Sequence, residues 1–184
     1  MNVHMKIKWH RYMKLGETYN LALALRRLRS SVALLCLVLF ACAVHAQQAP
    51  LFKLPGADSD VELTAFKGQV VYLDFWASWC GPCRKSFPWM NEMQNRYGEQ
   101  GFSVVSVNLD SDRAQAERFL KEVPAEFVVA FDSNGRAAEL YGLQVMPTSY
   151  LIDRDGQLVS IHRGFRLKDK AKIETEIKEL VMKK

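Results

Sequence analysis

The sequence predicts a three-layer α/β sandwich, and three observations support this fold class. Apolar segments of strand length alternate with segments of helical periodicity from residue 69 onward. The segment at residues 69–77 is apolar on both faces, as in the central strand of a sheet that is covered on both sides. A hairpin pattern and an amphipathic helix then close the chain over residues 148–182. The length of 184 residues suits one such domain plus an additional segment.

The additional segment lies at residues 1–46 and has the layout of a secretory signal peptide. It contains seven of the 25 Lys and Arg residues but one of the 20 Asp and Glu residues, and an unbroken apolar run covers residues 32–44. As a helix this run would span about 20 Å, which is short of the ~30 Å hydrocarbon core of a bilayer. We therefore expect a cleaved leader and export to the periplasm or cell envelope, with residues 47–184 forming the folded domain.

Cys42 offers a second interpretation of the leader. Residues 39–42 read Leu-Phe-Ala-Cys and resemble a bacterial lipobox, in which the cysteine is lipidated and becomes the mature N-terminus, although Phe40 departs from the usual residue at its position. A lipoprotein cysteine carries more than one acyl chain, which is enough for stable membrane anchoring. A signal that ends near Ala46 and a lipid anchor at Cys42 are therefore both compatible with the sequence.

The charge and the cysteine content outside the leader exclude two classes of protein. The formal net charge of +5 belongs to the leader, so the domain offers no basic face for nucleic acid. Its only cysteines are Cys80 and Cys83, which are too few for a disulfide scaffold. In an exported protein, a single close pair is more typical of a protein that acts on other disulfides than of one stabilised by its own.

The remaining elements follow in chain order from their apolar patterns and turn signals. Residues 51–54 and 61–63 are predicted to form a small N-terminal β-hairpin ahead of the central strand. After that strand we predict a helix that Gly98 ends, and then alternating strands and helices. Their bounds are residues 83–98 (helix), 102–109 (strand), 112–122 (helix), 127–131 (strand), 136–141 (helix), 148–152 and 158–162 (hairpin strands) and 167–182 (helix).

The motif Trp79-Cys80-Gly81-Pro82-Cys83 lies where the central strand ends and the first long helix begins. The first turn of a helix offers free backbone N–H groups and the positive end of the dipole, and both stabilise a thiolate. The thiolate is the nucleophile in disulfide exchange, and a two-residue spacer lets the second thiol close on the first. We therefore expect Cys80 to be an exposed nucleophile with a depressed pKa, and Cys83 to be less exposed and to resolve the mixed disulfide.

Metal binding and haem attachment fit the same residues poorly. A structural zinc site needs about four ligands, whereas the domain offers two cysteines and one histidine, His162. Arg84 follows Cys83 at the position where a haem-attachment motif has histidine. The sequence therefore predicts no cofactor other than a redox-active Cys80–Cys83 disulfide.

The chain resembles the thioredoxin superfamily. The resemblance is carried by residues 74–83 (Asp-Phe-Trp-Ala-Ser-Trp-Cys-Gly-Pro-Cys), by Pro88 in the following helix and by Met146-Pro147-Thr148. The leader, the N-terminal hairpin and the extra strand-helix unit at residues 127–142 make it similar to the TlpA/ResA branch of exported thiol-disulfide oxidoreductases. The resemblance implies an enzyme that reduces protein disulfides and is itself reduced again by a membrane thiol donor.

Two alternatives to this function belong to the same fold. A disulfide-forming oxidant or isomerase would use the same cysteines, but the dipeptide Gly81-Pro82 matches the reducing thioredoxins rather than the strong oxidants. A non-enzymatic metal chaperone would need a wider cysteine spacing and a nearby histidine, which the motif lacks. Reduction of protein disulfides is therefore the favoured function.

The resemblance also implies roles for residues around the cysteines. Asp74 stands where general thioredoxins have a buried aspartate, and a carboxylate there would accept or deliver a proton at Cys83. The Met146-Pro147 peptide would be cis and face Cys80, with the Met146 backbone pairing with a substrate strand. The predicted substrate-binding residues are Trp79, Gly81, Pro82, Met146 and Pro147.

Two positions separate the chain from the cytochrome-c-maturation members of the branch. Ser86 stands three residues after the second cysteine, where those members typically have glutamate. Thr148 follows the cis-proline position, where another maturation group has glutamate. The active site is therefore predicted to resemble that of a general thioredoxin rather than that of a cytochrome-specific reductant.

Overall fold

The structure is a computed structural model and describes residues 47–183. The predicted leader at residues 1–46, with Cys42 and its predicted lipid anchor, lies outside the described residues. Across residues 47–183, no helix combines the length and the apolar character needed to cross a membrane.

Two sheets account for the strands of the described chain. The strands are β1 (Lys53–Leu54), β2 (Val61–Glu62), β3 (Val70–Trp76), β4 (Phe102–Asn108), β5 (Val128–Phe131), β6 (Thr148–Ile152) and β7 (Leu158–Arg163). β1 and β2 form the predicted antiparallel hairpin. The other five strands form one sheet in the order β5-β4-β3-β6-β7. In this sheet β3, β4 and β5 are parallel, whereas β6 is antiparallel to both β3 and β7.

The helices cover the five-stranded sheet on both faces. They are α1 (Gly81–Tyr97), α2 (Arg113–Glu122), α3 (Arg136–Leu140) and α4 (Lys170–Met182). Apolar side chains of α1, α2 and α4 pack against one face. The hairpin and α3 pack against the opposite face. These three layers confirm the predicted α/β sandwich with its N-terminal hairpin and its extra strand-helix unit, β5–α3.

The central strand β3 is buried along its whole length. Tyr72 and Trp76 pack into the core beneath α1, while Leu73 and Phe75 pack into the core on the other face. Each fully buried side chain of this size contributes about 1.5–3 kcal/mol through the area it removes from water. Strand β3 is therefore a rigid support, and its last residue directly precedes the loop that carries the chain to Cys80.

The start of α1 differs from the prediction, whereas its end agrees with it. The helix begins at Gly81 rather than at residue 83 because Cys80 caps it and Pro82, which lacks an N–H group, is well tolerated in the first turn. Gly98 is the C-cap that ends α1 after Tyr97, as predicted. Its φ of −55° is helical, and the chain continues through a 3₁₀ turn (Gly98–Gln100) to Gly101, whose φ of +83° is left-handed. Glycine adopts that conformation at little cost, so the chain reverses there.

The C-terminal helix is shorter than predicted. Helix α4 starts at Lys170, and a separate 3₁₀ turn (Leu167–Asp169) occupies the first part of the predicted segment. Its predicted apolar stripe is buried at Ile173, Ile177 and Val181, and these side chains join the core beneath α1.

Candidate active site

Cys80 and Cys83 are joined by a disulfide bond at the N-terminus of α1. Cys80 is the N-cap residue, and its sulfur accepts a hydrogen bond from the backbone N–H of Cys83 at 3.2 Å. The Cys80 carbonyl accepts a second helical hydrogen bond from the N–H of Arg84. The sulfur of Cys80 thus occupies the place where a helix N-terminus stabilises negative charge.

The prediction that Cys80 is exposed is wrong for the disulfide form, in which Cys80 is buried. Its side chain is 5% exposed and that of Cys83 is fully buried. Cys80 belongs to the core cluster beneath α1. The other three residues of the motif, Trp79, Gly81 and Pro82, are exposed, and the side chain of Trp79 reaches 69% exposure.

A buried hydrogen-bond clamp holds the loop before Cys80. It was not predicted from the sequence. Asp110 follows β4, and its carboxylate accepts hydrogen bonds from the backbone N–H of Ser78 at 2.9 Å and from the Ser78 hydroxyl at 3.0 Å. Asn108 donates a further hydrogen bond to the same carboxylate at 2.8 Å. Because the Asp110 side chain is buried, this clamp fixes the loop that sets the start of α1.

Asp74 lies in the middle of β3, and its side chain is 1% exposed. Side chains alternate between the two faces along a strand, so Asp74 shares a face with Tyr72 and Trp76. Both of these side chains belong to the core cluster that contains Cys83. The carboxyl group of Asp74 is therefore on the same side of the sheet as Cys83.

Ser149 is the hydrogen-bond partner of this carboxyl group. It lies opposite Asp74 in the antiparallel pairing of β3 with β6, and its hydroxyl donates to Oδ1 of Asp74 at 2.6 Å. The other oxygen, Oδ2, is buried and has no hydrogen-bond partner among residues 47–183. Burial raises the pKa of Asp74 to about 7, and the hydrogen bond from Ser149 opposes this rise. The group can therefore change protonation state near neutral pH.

The peptide bond between Met146 and Pro147 is cis, as the resemblance implies. Pro147 immediately precedes β6, and the antiparallel register places the start of β6 beside the end of β3. The cis-proline and the cysteine loop therefore lie at the same end of the neighbouring strands β3 and β6. Met146 packs against the core cluster that includes both cysteines.

Ser86 and Thr148, the two positions that are predicted to separate the chain from cytochrome-specific relatives, are buried and uncharged. Ser86 lies in α1, and its hydroxyl donates to the Cys83 carbonyl at 2.9 Å. The Thr148 hydroxyl donates to the Val145 carbonyl at 2.7 Å and closes the loop around the cis-proline. At both positions the hydroxyl bonds to the local backbone.

The fold and the cysteine pair together define a class, the thiol-disulfide oxidoreductases with a thioredoxin-like fold. The sequence profile of the Redoxin family matches residues 45–177, and the chain belongs to this family. The predicted resemblance to the TlpA/ResA branch is confirmed by the relatives below.

Relatives of known sequence and structure agree with this class. The thiol-disulfide oxidoreductase ResA of Bacillus cereus (strain ATCC 10987) is 36% identical over 124 residues, which cover 67% of this chain and 72% of the relative. A crystal structure of a candidate thiol:disulfide interchange protein, DsbE, from Chlorobium tepidum has 54% sequence identity and a TM-score of 0.73, covering 74% of this chain and 96% of that one. The exposed lipoprotein thioredoxin of Streptococcus pneumoniae (strain TIGR4) has 34% identity and a TM-score of 0.62, covering 71% of this chain and 100% of that one.

Proposed function

We propose that this oxidoreductase works in the reducing direction and reduces disulfide bonds in exported proteins. The observation that carries the proposal is the place of the Cys80 sulfur, which caps α1 and accepts the N–H of Cys83. After reduction, the same N–H groups would stabilise a Cys80 thiolate. The Cys80–Cys83 pair is then the redox centre itself, and the proposed cycle needs no flavin, haem or metal ion.

The proposed cycle transfers two electrons to the substrate. The Cys80 thiolate attacks one sulfur of a substrate disulfide, forms a mixed disulfide and expels the other substrate sulfur as a thiolate. The Cys83 thiol then loses its proton and attacks the Cys80 sulfur. This second step closes the Cys80–Cys83 disulfide and releases the remaining substrate sulfur, and both substrate thiolates take up protons.

Asp74 is proposed as the base that accepts the Cys83 proton. Its carboxyl group lies on the Cys83 side of the sheet, and its pKa of about 7 suits proton exchange at neutral pH. In this proposal the proton passes from Cys83 to Asp74 directly or through one water molecule. The mixed disulfide would then resolve faster as the pH rises through 7.

The proposed substrate surface surrounds the cysteine pair. Trp79 supplies exposed apolar area, and Gly81 and Pro82 expose the first turn of α1. The Met146 backbone beside the cis Pro147 would pair with an extended substrate segment. Such pairing recognises the backbone rather than a particular side chain, which suits a range of protein substrates.

The proposed location is the cell envelope. The leader pattern at residues 1–46 supports export, and one relative is described as an exposed lipoprotein thioredoxin. Lipidation at Cys42 would hold the domain at the membrane surface. A membrane thiol donor would then return the Cys80–Cys83 disulfide to the dithiol form. The uncharged Ser86 and Thr148 support a general reductant rather than a cytochrome-specific one.

The direction of the reaction is tested by the reduction potential of the cysteine pair. We expect a value near that of thioredoxin, about −270 mV, because Gly81-Pro82 is the dipeptide of the reducing members. The domain would be equilibrated in dithiothreitol buffers of defined ratio, and the dithiol fraction would be counted after alkylation. A Cys83→Ala variant, which cannot form the bond, is the control for other oxidation. A potential above about −180 mV would favour the oxidant or isomerase function instead.

A further inference from the structure

Asp74 has two cross-strand neighbours with hydroxyl groups, and only one of them bonds to it. Ser149 lies opposite it on β6 and donates to Oδ1 at 2.6 Å. Ser106 lies beside it on β4, but its hydroxyl donates to the carbonyl of Val128 at 3.3 Å. Both serines are buried, so the bond to Ser149 is a specific feature of the site.

The hydrogen bond from Ser149 makes the two carboxyl oxygens of Asp74 unequal. Oδ1 is occupied, whereas Oδ2 is buried without a partner among the described residues. Buried polar atoms are almost always hydrogen-bonded, and an exception invites an explanation. One explanation is that Oδ2 receives a proton during the reaction. It then gains its partner when Cys83 releases that proton.

We propose that Ser149 is a positioning residue for the resolution step, holding Asp74 through Oδ1 so that Oδ2 is the oxygen that takes the proton of Cys83. This inference rests on the proposed role of Asp74. Ser149 touches neither the substrate nor the cysteines in this account and acts through the carboxylate alone.

Among the polar groups near Asp74, Ser149 has the main effect on the pKa of its carboxyl group. Tyr72 on β3 is buried, which raises the pKa of its phenol. The charge of Asp74 raises this pKa further, whereas the Ser149 hydroxyl lowers it. His162, opposite Ser149 on β7, contacts Glu176 of α4 at 3.0 Å, and burial lowers the pKa of its imidazole. The pKa of Asp74 itself responds to burial and to Ser149. Losing the Ser149 hydroxyl should therefore raise the pKa of Asp74.

The test separates attack from resolution in single-turnover reactions of the reduced domain with dithiobis(nitrobenzoate). Attack by Cys80 releases the first thionitrobenzoate, and resolution by Cys83 releases the second. For Ser149→Ala we expect the first release to be unchanged and the second to be about tenfold slower at pH 7, the scale of one lost hydrogen bond to a charged group. The midpoint of its pH profile should move up by about one unit, so the variant approaches wild type at pH 9.

Two matched comparisons distinguish positioning from packing. Ser106→Ala removes the neighbouring buried hydroxyl that does not contact Asp74, and it should leave the midpoint unchanged. Ser149→Thr keeps a hydroxyl group, and Ser149→Val has nearly the same shape as threonine but no hydroxyl group. The threonine variant should therefore keep the wild-type midpoint, and the valine variant should not. This second pair also replaces the alanine variant if that protein fails to fold.

The outcomes separate this inference from the proposed function. A slower second release with an unmoved midpoint would show a purely structural role for Ser149 and overturn the inference. An unchanged second release would also overturn it, while a slow Asp74→Asn variant measured alongside would leave Asp74 as the base. If Asp74→Asn itself matches wild type, the base assignment falls together with the inference, and the Cys80–Cys83 cycle stands on its own evidence.

Discussion

Replacing Cys80 with serine is expected to abolish disulfide reduction, with a loss of at least about 1,000-fold, the scale seen when an enzyme loses its nucleophile. A serine hydroxyl cannot form the mixed disulfide, so no step of the cycle can begin. Cys83→Ser should behave differently, because its Cys80 still attacks but cannot be released by a partner thiol. That variant should release one thionitrobenzoate per chain and then stop.

The comparison of the two serine variants tests the assignment of roles. Both variants lose the same disulfide, so any change in fold or stability relative to wild type should be the same in both. The difference in the first release therefore reports which sulfur attacks. A Cys80→Ser variant that gives a first release as fast as that of Cys83→Ser would contradict the assignment of Cys80 as the nucleophile.

Replacing Asp74 with asparagine is expected to slow resolution by Cys83 about 100-fold at pH 7, the size of a general-base contribution. The wild-type rate should rise with pH between 6 and 8, because the carboxylate form of Asp74 increases as the pH passes its pKa of about 7. Asparagine cannot accept the proton. In that variant the rate should follow the ionisation of the Cys83 thiol alone and rise at higher pH.

Stability provides the control for the Asp74→Asn variant. Asparagine keeps the size of the side chain and can still accept a hydrogen bond from Ser149. It also removes a buried group whose ionised form is costly, so the fold should be at least as stable toward urea as wild type at neutral pH. Attack by Cys80 should keep its rate. A variant that resolves the mixed disulfide as fast as wild type from pH 6 to 8 would show that the proton leaves by another route.

The local pattern of the sequence was sufficient for the elements that carry the site. The apolar run at residues 69–77 predicted β3, and the helical pattern after Cys83 placed the cysteine motif at the start of a helix. The cis peptide at Pro147 followed from the resemblance and is present in the structure. These features depend on neighbouring residues or on a specific motif, both of which a single sequence displays.

The contacts that tune the site could not be predicted in this way. Ser149 bonds to Asp74 across 75 positions of the chain, and Ser78 meets Asp110 across 32. Both contacts depend on which strands are neighbours and on their register, and one serine among several gives no local signal of either. The burial of Cys80 was missed for a related reason, because most residues of the core cluster that contains it are distant in the sequence.

The most direct test of the proposed cycle is to trap its intermediate. Reduced Cys83→Ala protein would be mixed with insulin, quenched with acid and alkylated, and the adduct would be located by peptide mass mapping. We expect one adduct per chain, on Cys80, that dithiothreitol releases. The matched Cys80→Ala protein should form little or none. An adduct on Cys83 of that control in equal or greater yield, or no adduct on Cys80, would contradict the account.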